Sequence, residues 1–140
     1  MSLPEPVYKL LENVVGTEHI SDRSYILAGY RHKMPNSPQK PVSPEAVILP
    51  GSTEEVQEIL RICNRYNIRF IPTISTLSPF GYASRPGTVM LHLKRMNRII
   101  EINEEDRYAV IEPGVRHGQL KTELMKRGLS YPVAPGGLRT

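Results

Sequence analysis

A chain of 140 residues with 39% hydrophobic and 23% charged residues can bury the core of one domain, which excludes a disordered chain and a fibre. Lysine and arginine number 18 against 14 aspartate and glutamate, and the resulting formal charge of +4 is too small and too dispersed to mark a nucleic-acid-binding surface. No apolar run is long enough for a transmembrane helix, and the first residues carry no charged segment followed by an apolar one, so the chain is expected to be soluble, not inserted in a membrane, and cytoplasmic.

Residues 1–45 read as a leader and connector. Tyr8, Leu11, Val14 and Val15 fall at helical spacing, and Gly16 follows as a suitable left-handed stop. Ser21 and Asp22 read as the cap of a second helix running through Tyr25, Leu27 and Ala28. From Arg31 to Pro44 the prolines Pro35, Pro38, Pro41 and Pro44 recur without periodicity, which predicts an extended surface connector.

From Ala46 onward strands and helices alternate. Ala46 to Leu49 is an apolar run closed by Pro50 and Gly51, which predicts a buried strand. Ser52 and Glu55 then form a capping-box pattern, and Val56, Ile59, Leu60 and Cys63 make the apolar stripe of a helix. Arg69 to Pro72 and Thr88 to Leu93 read as further strands; strand, helix, strand implies a parallel pair with a right-handed crossover. Arg98 to Ile102 and Tyr108 to Ile111, separated by Asn103, Glu104, Glu105 and Asp106, predict a hairpin. After Pro113 and Gly114, the residues Leu120, Leu124 and Met125 describe a last helix ending at Gly128. The fold class is α/β.

The single cysteine, Cys63, excludes an internal disulfide and lies on the apolar face of its helix, so it reads as core packing. The histidines His19, His32, His92 and His117 lie far apart and none has zinc-ligand spacing to a cysteine or acidic residue, so no metal site is expected. His92, inside a strand, reads as a structural histidine with its hydrogen bonds satisfied. No nucleophile elbow, P-loop or dinucleotide-binding glycine fingerprint occurs.

Chemistry points instead to the stretch from Thr73 to Gly87, rich in serine, threonine, proline and glycine, at the carboxyl end of a strand. Ligands of open α/β sheets bind at such ends. Successive backbone N–H groups there can form a concave nest for phosphate oxygens, with the hydroxyls of Ser75, Thr76 and Ser78 as further donors. Spacing alone leaves a ligand loop and a plain surface loop equally open.

Several blocks carry a resemblance: Pro50, Gly51, Ser52, Thr53, Glu54, Glu55 and Val56; the stretch from Ile71 to Tyr82; Leu93, Lys94, Arg95, Met96, Asn97, Arg98 and Ile99; and Glu112, Pro113, Gly114 and Val115. In order and spacing they resemble the first half of the FAD-binding domain, of the p-cresol methylhydroxylase type, in the vanillyl-alcohol oxidase and 4-cresol dehydrogenase family. The resemblance implies an α/β (α+β) subdomain in which a small parallel sheet is flanked by helices and accompanied by a short β-hairpin. Its expected extent is residues 46–140, the remainder of the family's flavin domain, its substrate domain and any covalent flavin attachment following later in such proteins.

The same resemblance implies an FAD cofactor whose pyrophosphate is held by the loop Ile74, Ser75, Thr76, Leu77, Ser78, Pro79, Phe80, Gly81 and Tyr82, while Pro135, Gly136 and Gly137 open the next flavin-contacting turn. Leu77, Pro79 and Ala83 depart from the family pattern, where glycine, asparagine and glycine stand. Leucine resists positive φ and proline removes an N–H, so a weakened or reshaped site is expected. The implied function is flavin-dependent oxidation, with hydride passing from a para-substituted phenol or aromatic alcohol, or from a 2-hydroxy acid, to the flavin. A small-molecule substrate, and an electron-acceptor protein as a candidate partner, go with it. This chain alone is expected to be inactive and to self-associate through uncovered apolar surface. The alternative is a non-catalytic nucleotide- or partner-binding module that kept the fold and lost the flavin.

Overall fold

The computed structural model describes residues 3–31, 42–74 and 86–132, and the chain packs as two compact units, Met1–Arg95 and Met96–Thr140. The first unit opens with helix α1 (Glu5–Val15), where Pro6 stands at an N-terminal position that needs no N–H partner. Val7, Leu11 and Val15 repeat every four residues and are its buried stripe, with Tyr8 and Val14 packed on the flank. Gly16, at φ +85°, ends the helix by donating its N–H to the Glu12 carbonyl at 2.7 Å.

The next element corrects the sequence reading. Ile20–Ser21 is a short strand, β1, paired antiparallel with β2 (Ala46–Ile48), Ile20 opposite Ile48 and Ser21 opposite Val47. Ser21 is therefore not a helix cap. Its hydroxyl accepts from the Arg23 N–H at 3.2 Å, a local turn, and helix α2 (Ser24–Ala28) starts after Arg23 with no side-chain cap.

Helix α3 (Thr53–Arg65) begins as its capping pattern predicts: the Ser52 hydroxyl accepts from the Glu55 N–H at 3.2 Å. Its buried stripe is Ile59, Ile62 and Cys63, while Val56 and Leu60 are half-buried, so the face is rotated toward Ile62. Asn67, at φ +52°, turns the chain out of the helix as the Ile68 N–H returns to the Cys63 carbonyl at 2.8 Å.

Strands β3 (Arg69–Thr73) and β4 (Thr88–His92) complete a four-stranded sheet of order β1-β2-β4-β3. The parallel arrangement is as expected, but β2 and β3 do not pair with each other. β4 lies between them, with Val89 beside both Ala46 and Phe70 and Leu91 beside both Ile48 and Pro72. All five residues of this central strand are buried, which suits its apolar centre, Val89 to Leu91. Its side chains alternate between two layers. Val89 and Leu91 join Leu11, Ile48, Ile59 and Cys63 on the α1 and α3 side, and Met90 joins Val47 and Leu27 on the α2 side. The leader helix thus shares one core with the strands that follow residue 45. Burying each Leu, Ile or Val of this kind contributes roughly 1.5–3 kcal/mol.

The second unit contains the expected hairpin, β5 (Ile99–Asn103) and β6 (Tyr108–Ile111), antiparallel with a bulge between Ile99 and Glu101. Its turn is organised by Asn103, whose side-chain oxygen accepts the Asp106 N–H at 2.7 Å, and by Arg107 at φ +57°. In helix α4 (His117–Met125) Leu120 and Leu124 are buried as expected, whereas Met125 is 64% exposed and belongs to the outer face. Among the described residues no helix is long and apolar enough to cross a membrane.

Candidate functional site

Because β2, β4 and β3 are parallel, their carboxyl ends lie on one edge of the sheet. Three connections leave from there: Leu49–Ser52 after β2, Ile74 after β3, and Leu93–Arg95 after β4. Connections at such an edge are where open α/β sheets take their ligands.

Arg95 fixes the first connection. Its guanidinium donates to the Leu49 carbonyl at 2.6 Å and stands 3.6 Å from the Glu55 carboxylate, which itself accepts the Gly51 N–H at 2.7 Å. A β-carbon on Gly51 would meet the Arg95 side chain at 2.7 Å, so the turn accepts glycine there for lack of room. Of the N–H groups here, that of Gly51 is committed to the Glu55 carboxylate and that of Glu55 to the Ser52 hydroxyl. With Glu54 and Glu55 in the first turn of α3, the helix end is a poor seat for an anion.

His92 governs the second connection. It is the last residue of β4 and only 8% exposed. One ring nitrogen, Nδ1, lies 2.6 Å from the Tyr30 hydroxyl, the other, Nε2, 3.1 Å from the Ile74 carbonyl, and the Tyr30 and His92 rings meet edge to face with centroids 5.5 Å apart. A carbonyl only accepts, so Nε2 carries the proton and Nδ1 accepts from Tyr30. Burial lowers the imidazole pKa below its ordinary value; the bond to Ile74 opposes this shift and the Lys94 charge adds to it. His92 is therefore neutral near pH 7, the satisfied histidine that its place in a strand suggests. Lys94 itself is exposed and makes no ion pair among the described residues, which leaves an ammonium on this edge for an anionic ligand.

Of the residues expected to hold a ligand, Ile74 lies at this edge, its backbone carbonyl bound to His92. Ser75, Thr76, Leu77, Ser78, Pro79, Phe80, Gly81 and Tyr82, and likewise Pro135, Gly136 and Gly137, lie outside the described residues. Sequence reasoning did not find the clasp of Arg95 on Gly51 and Leu49, nor the pairing of His92 with Tyr30. The first had a signal, since both residues stand in the blocks that carry the resemblance. The second had none, because its partners are remote in sequence.

A family model described as an FAD binding domain matches residues 44–140. The flavoprotein subunit of 4-cresol dehydrogenase (hydroxylating) from Pseudomonas putida is 36% identical over 120 residues, covering 83% of this chain and 23% of that protein. A probable mitochondrial D-lactate dehydrogenase of Danio rerio is 31% identical over 133 residues, covering 94% of this chain and 26% of that protein. Among solved structures, 4-ethylphenol oxidase from Gulosibacter chungangensis in its isoeugenol complex aligns with a TM-score of 0.79 at 35% identity, covering 91% of this chain and 26% of that one. The chain spans about a quarter of the length of these relatives. Small parallel sheet, flanking helices and hairpin agree with the fold that the resemblance implied. On the match over residues 44–140, this chain belongs to the FAD-binding domain family.

Proposed function

We propose that the chain contributes the pyrophosphate-holding part of the flavin site in an oxidoreductase, with Ile74 and residues 75–82 as the principal contacts and residues 135–137 as a second. The observation that carries this reading is the exit of the backbone at Ile74 from the carboxyl end of β3, beside the central strand. The donor chemistry of the edge fits a diphosphate. The Gly51 and Glu55 N–H groups beside β2 are committed and two carboxylates stand in the first turn of α3, which favours the backbone beyond Ile74 as the source of donors, and the Lys94 ammonium at the end of β4 adds a positive charge to this edge. Bound flavin supplies a hydride-accepting ring; what the protein supplies is position.

The substrate is proposed to be a small organic hydroxyl compound, either a para-substituted phenol, as the names of the 4-cresol dehydrogenase and 4-ethylphenol oxidase relatives suggest, or a 2-hydroxy acid, as the D-lactate dehydrogenase relative suggests. An electron-acceptor protein is proposed as partner. Anaerobic bleaching of the flavin in the whole protein by 4-ethylphenol, set against D-lactate, separates the substrate classes.

Titration of FAD into the whole protein, extended through the second flavin-binding half, followed by quenching of flavin fluorescence, tests the site. Ser75→Ala is expected to weaken binding by about 1 kcal/mol, the net worth of one hydrogen bond, and Gly81→Val by more, since a branched side chain denies close approach of the backbone. If both variants bind FAD like the parent, the loop is not the pyrophosphate site. A whole protein, with the remainder of the flavin domain present, that binds no FAD would favour the non-catalytic module, for which Leu77 and Pro79 speak.

A further inference from the structure

Tyr30, His92 and Ile74 form a relay whose members come from the leader, the central strand and the first residue proposed to hold flavin. Ile74 is 49% exposed, so burial does little to hold it. His92, by contrast, is fixed from every side: its backbone lies in β4 opposite Thr73, its ring is buried, and the Tyr30 hydroxyl at 2.6 Å meets the bare Nδ1. The Ile74 carbonyl 3.1 Å away can only accept, so the proton sits on Nε2 and the Tyr30 hydroxyl donates to Nδ1. We propose that His92 is a positioning residue: braced by the Tyr30 hydroxyl on Nδ1, it donates from Nε2 to the Ile74 carbonyl, orients the Ile74 peptide and thereby the direction in which the backbone leaves β3 toward the flavin contacts. The inference rests on the reading of Ile74 and the residues after it as the pyrophosphate site.

A histidine suits this role because its two nitrogens face opposite partners across a rigid ring. Leucine fills similar space and offers neither bond. Glutamine keeps an amide N–H able to reach the Ile74 carbonyl while giving up the bond to Tyr30. Tyr30→Phe keeps the ring contact and removes only the hydroxyl that braces Nδ1. The groups facing His92 are the Tyr30 hydroxyl and the Lys94 ammonium, and neither supplies a negative charge that would draw a second proton onto the ring.

Two measurements test the proposal. In the chain without flavin, nitrogen-15 NMR of the His92 ring is expected to show the proton on Nε2 near neutral pH, and a proton on Nδ1 would overturn the assignment. In FAD titrations, His92→Leu is expected to weaken binding about five- to tenfold, the scale of one lost hydrogen bond to a fixed partner, and His92→Gln to restore most of it. Melting temperatures of the two variants serve as the control for folding. If His92→Leu does not fold, His92→Gln decides: affinity close to the parent's supports the role, and a loss of fivefold or more overturns it. Weakening by Gly81→Val with none by His92→Leu sinks the positioning role and leaves the flavin site standing. A whole protein that binds no FAD, or one in which neither change matters, sinks the flavin reading and the inference with it.

Discussion

The Arg95 guanidinium occupies the space that a side chain on Gly51 would need: a β-carbon there would lie 2.7 Å from one terminal nitrogen and 2.9 Å from the central carbon of the guanidinium. Gly51→Ala therefore forces Arg95 away from the Leu49 carbonyl. The expected cost is about 1 kcal/mol, the net value of that hydrogen bond, because a long side chain can swing aside. Arg95→Ala should cost a similar amount, and the double variant less than the sum, since both remove one interaction. Urea unfolding of the parent, both single variants and the double variant measures the coupling.

Cys63 offers a test by pH. Burial pushes its thiol from the ordinary value of 9.0 up to about 11, and it is 1% exposed in the α3 stripe. Above pH 9 the unfolded chain releases this proton and the folded one holds it, so the stability due to the buried thiol, complete below the unfolded value, drains away as pH rises through 11. The loss is on the order of 3 kcal/mol. Cys63→Ala should abolish that slope, and the native thiol should react with a disulfide reagent at the rate of unfolding.

Glu112 offers the opposite sign. The Arg98 guanidinium, which reaches it at 2.7 and 3.0 Å, and then the Arg98 backbone N–H at 2.7 Å hold its carboxyl below the ordinary 4.5. Stability from this pair is present above the ordinary value and is lost as pH falls through the lower folded one. Glu112→Gln should destabilise the protein at neutral pH and flatten its acid unfolding profile below pH 4.5. Circular dichroism across that range is the measurement.

Arg107, at φ +57°, is an L-residue held in the left-handed region by the hairpin turn. Arg107→Gly removes that strain and is expected to stabilise the protein by about 1 kcal/mol, read as a higher urea midpoint. A loss instead would mean that the arginine side chain holds the turn.

Elements with local chemical signals were legible in the sequence. Ser52 and Glu55 mark the start of α3 by a bond three residues long, and the acidic turn marks the hairpin. β1 was not, because Ile20 and Ser21 are too few for a period and acquire strand geometry only from Ile48 and Val47. Nor was the place of β4, since its parallel partners are chosen by burial of Val89 and Met90 on both faces and not by sequence order. At the candidate site, the end of β3 was legible to within one residue, since the stretch read as starting at Thr73 leaves the strand after it. The contacts that steer it were not, for Tyr30 and His92 meet only after the sheet has formed.

The central place of β4 also dictates a folding order. Neither β2 nor β3 has a parallel neighbour until Thr88–His92 slots between them, and the pairings of Val89 with Ala46 and Phe70 close long stretches of chain at once. Such closures are paid in entropy before any contact returns it, which makes them slow. Insertion of β4 should then limit the refolding rate, and Val89→Ala should retard refolding more than it hastens unfolding. During synthesis, the apolar faces of α1 and α3 would wait uncovered until the fourth strand arrives, the interval in which this unit is most open to aggregation.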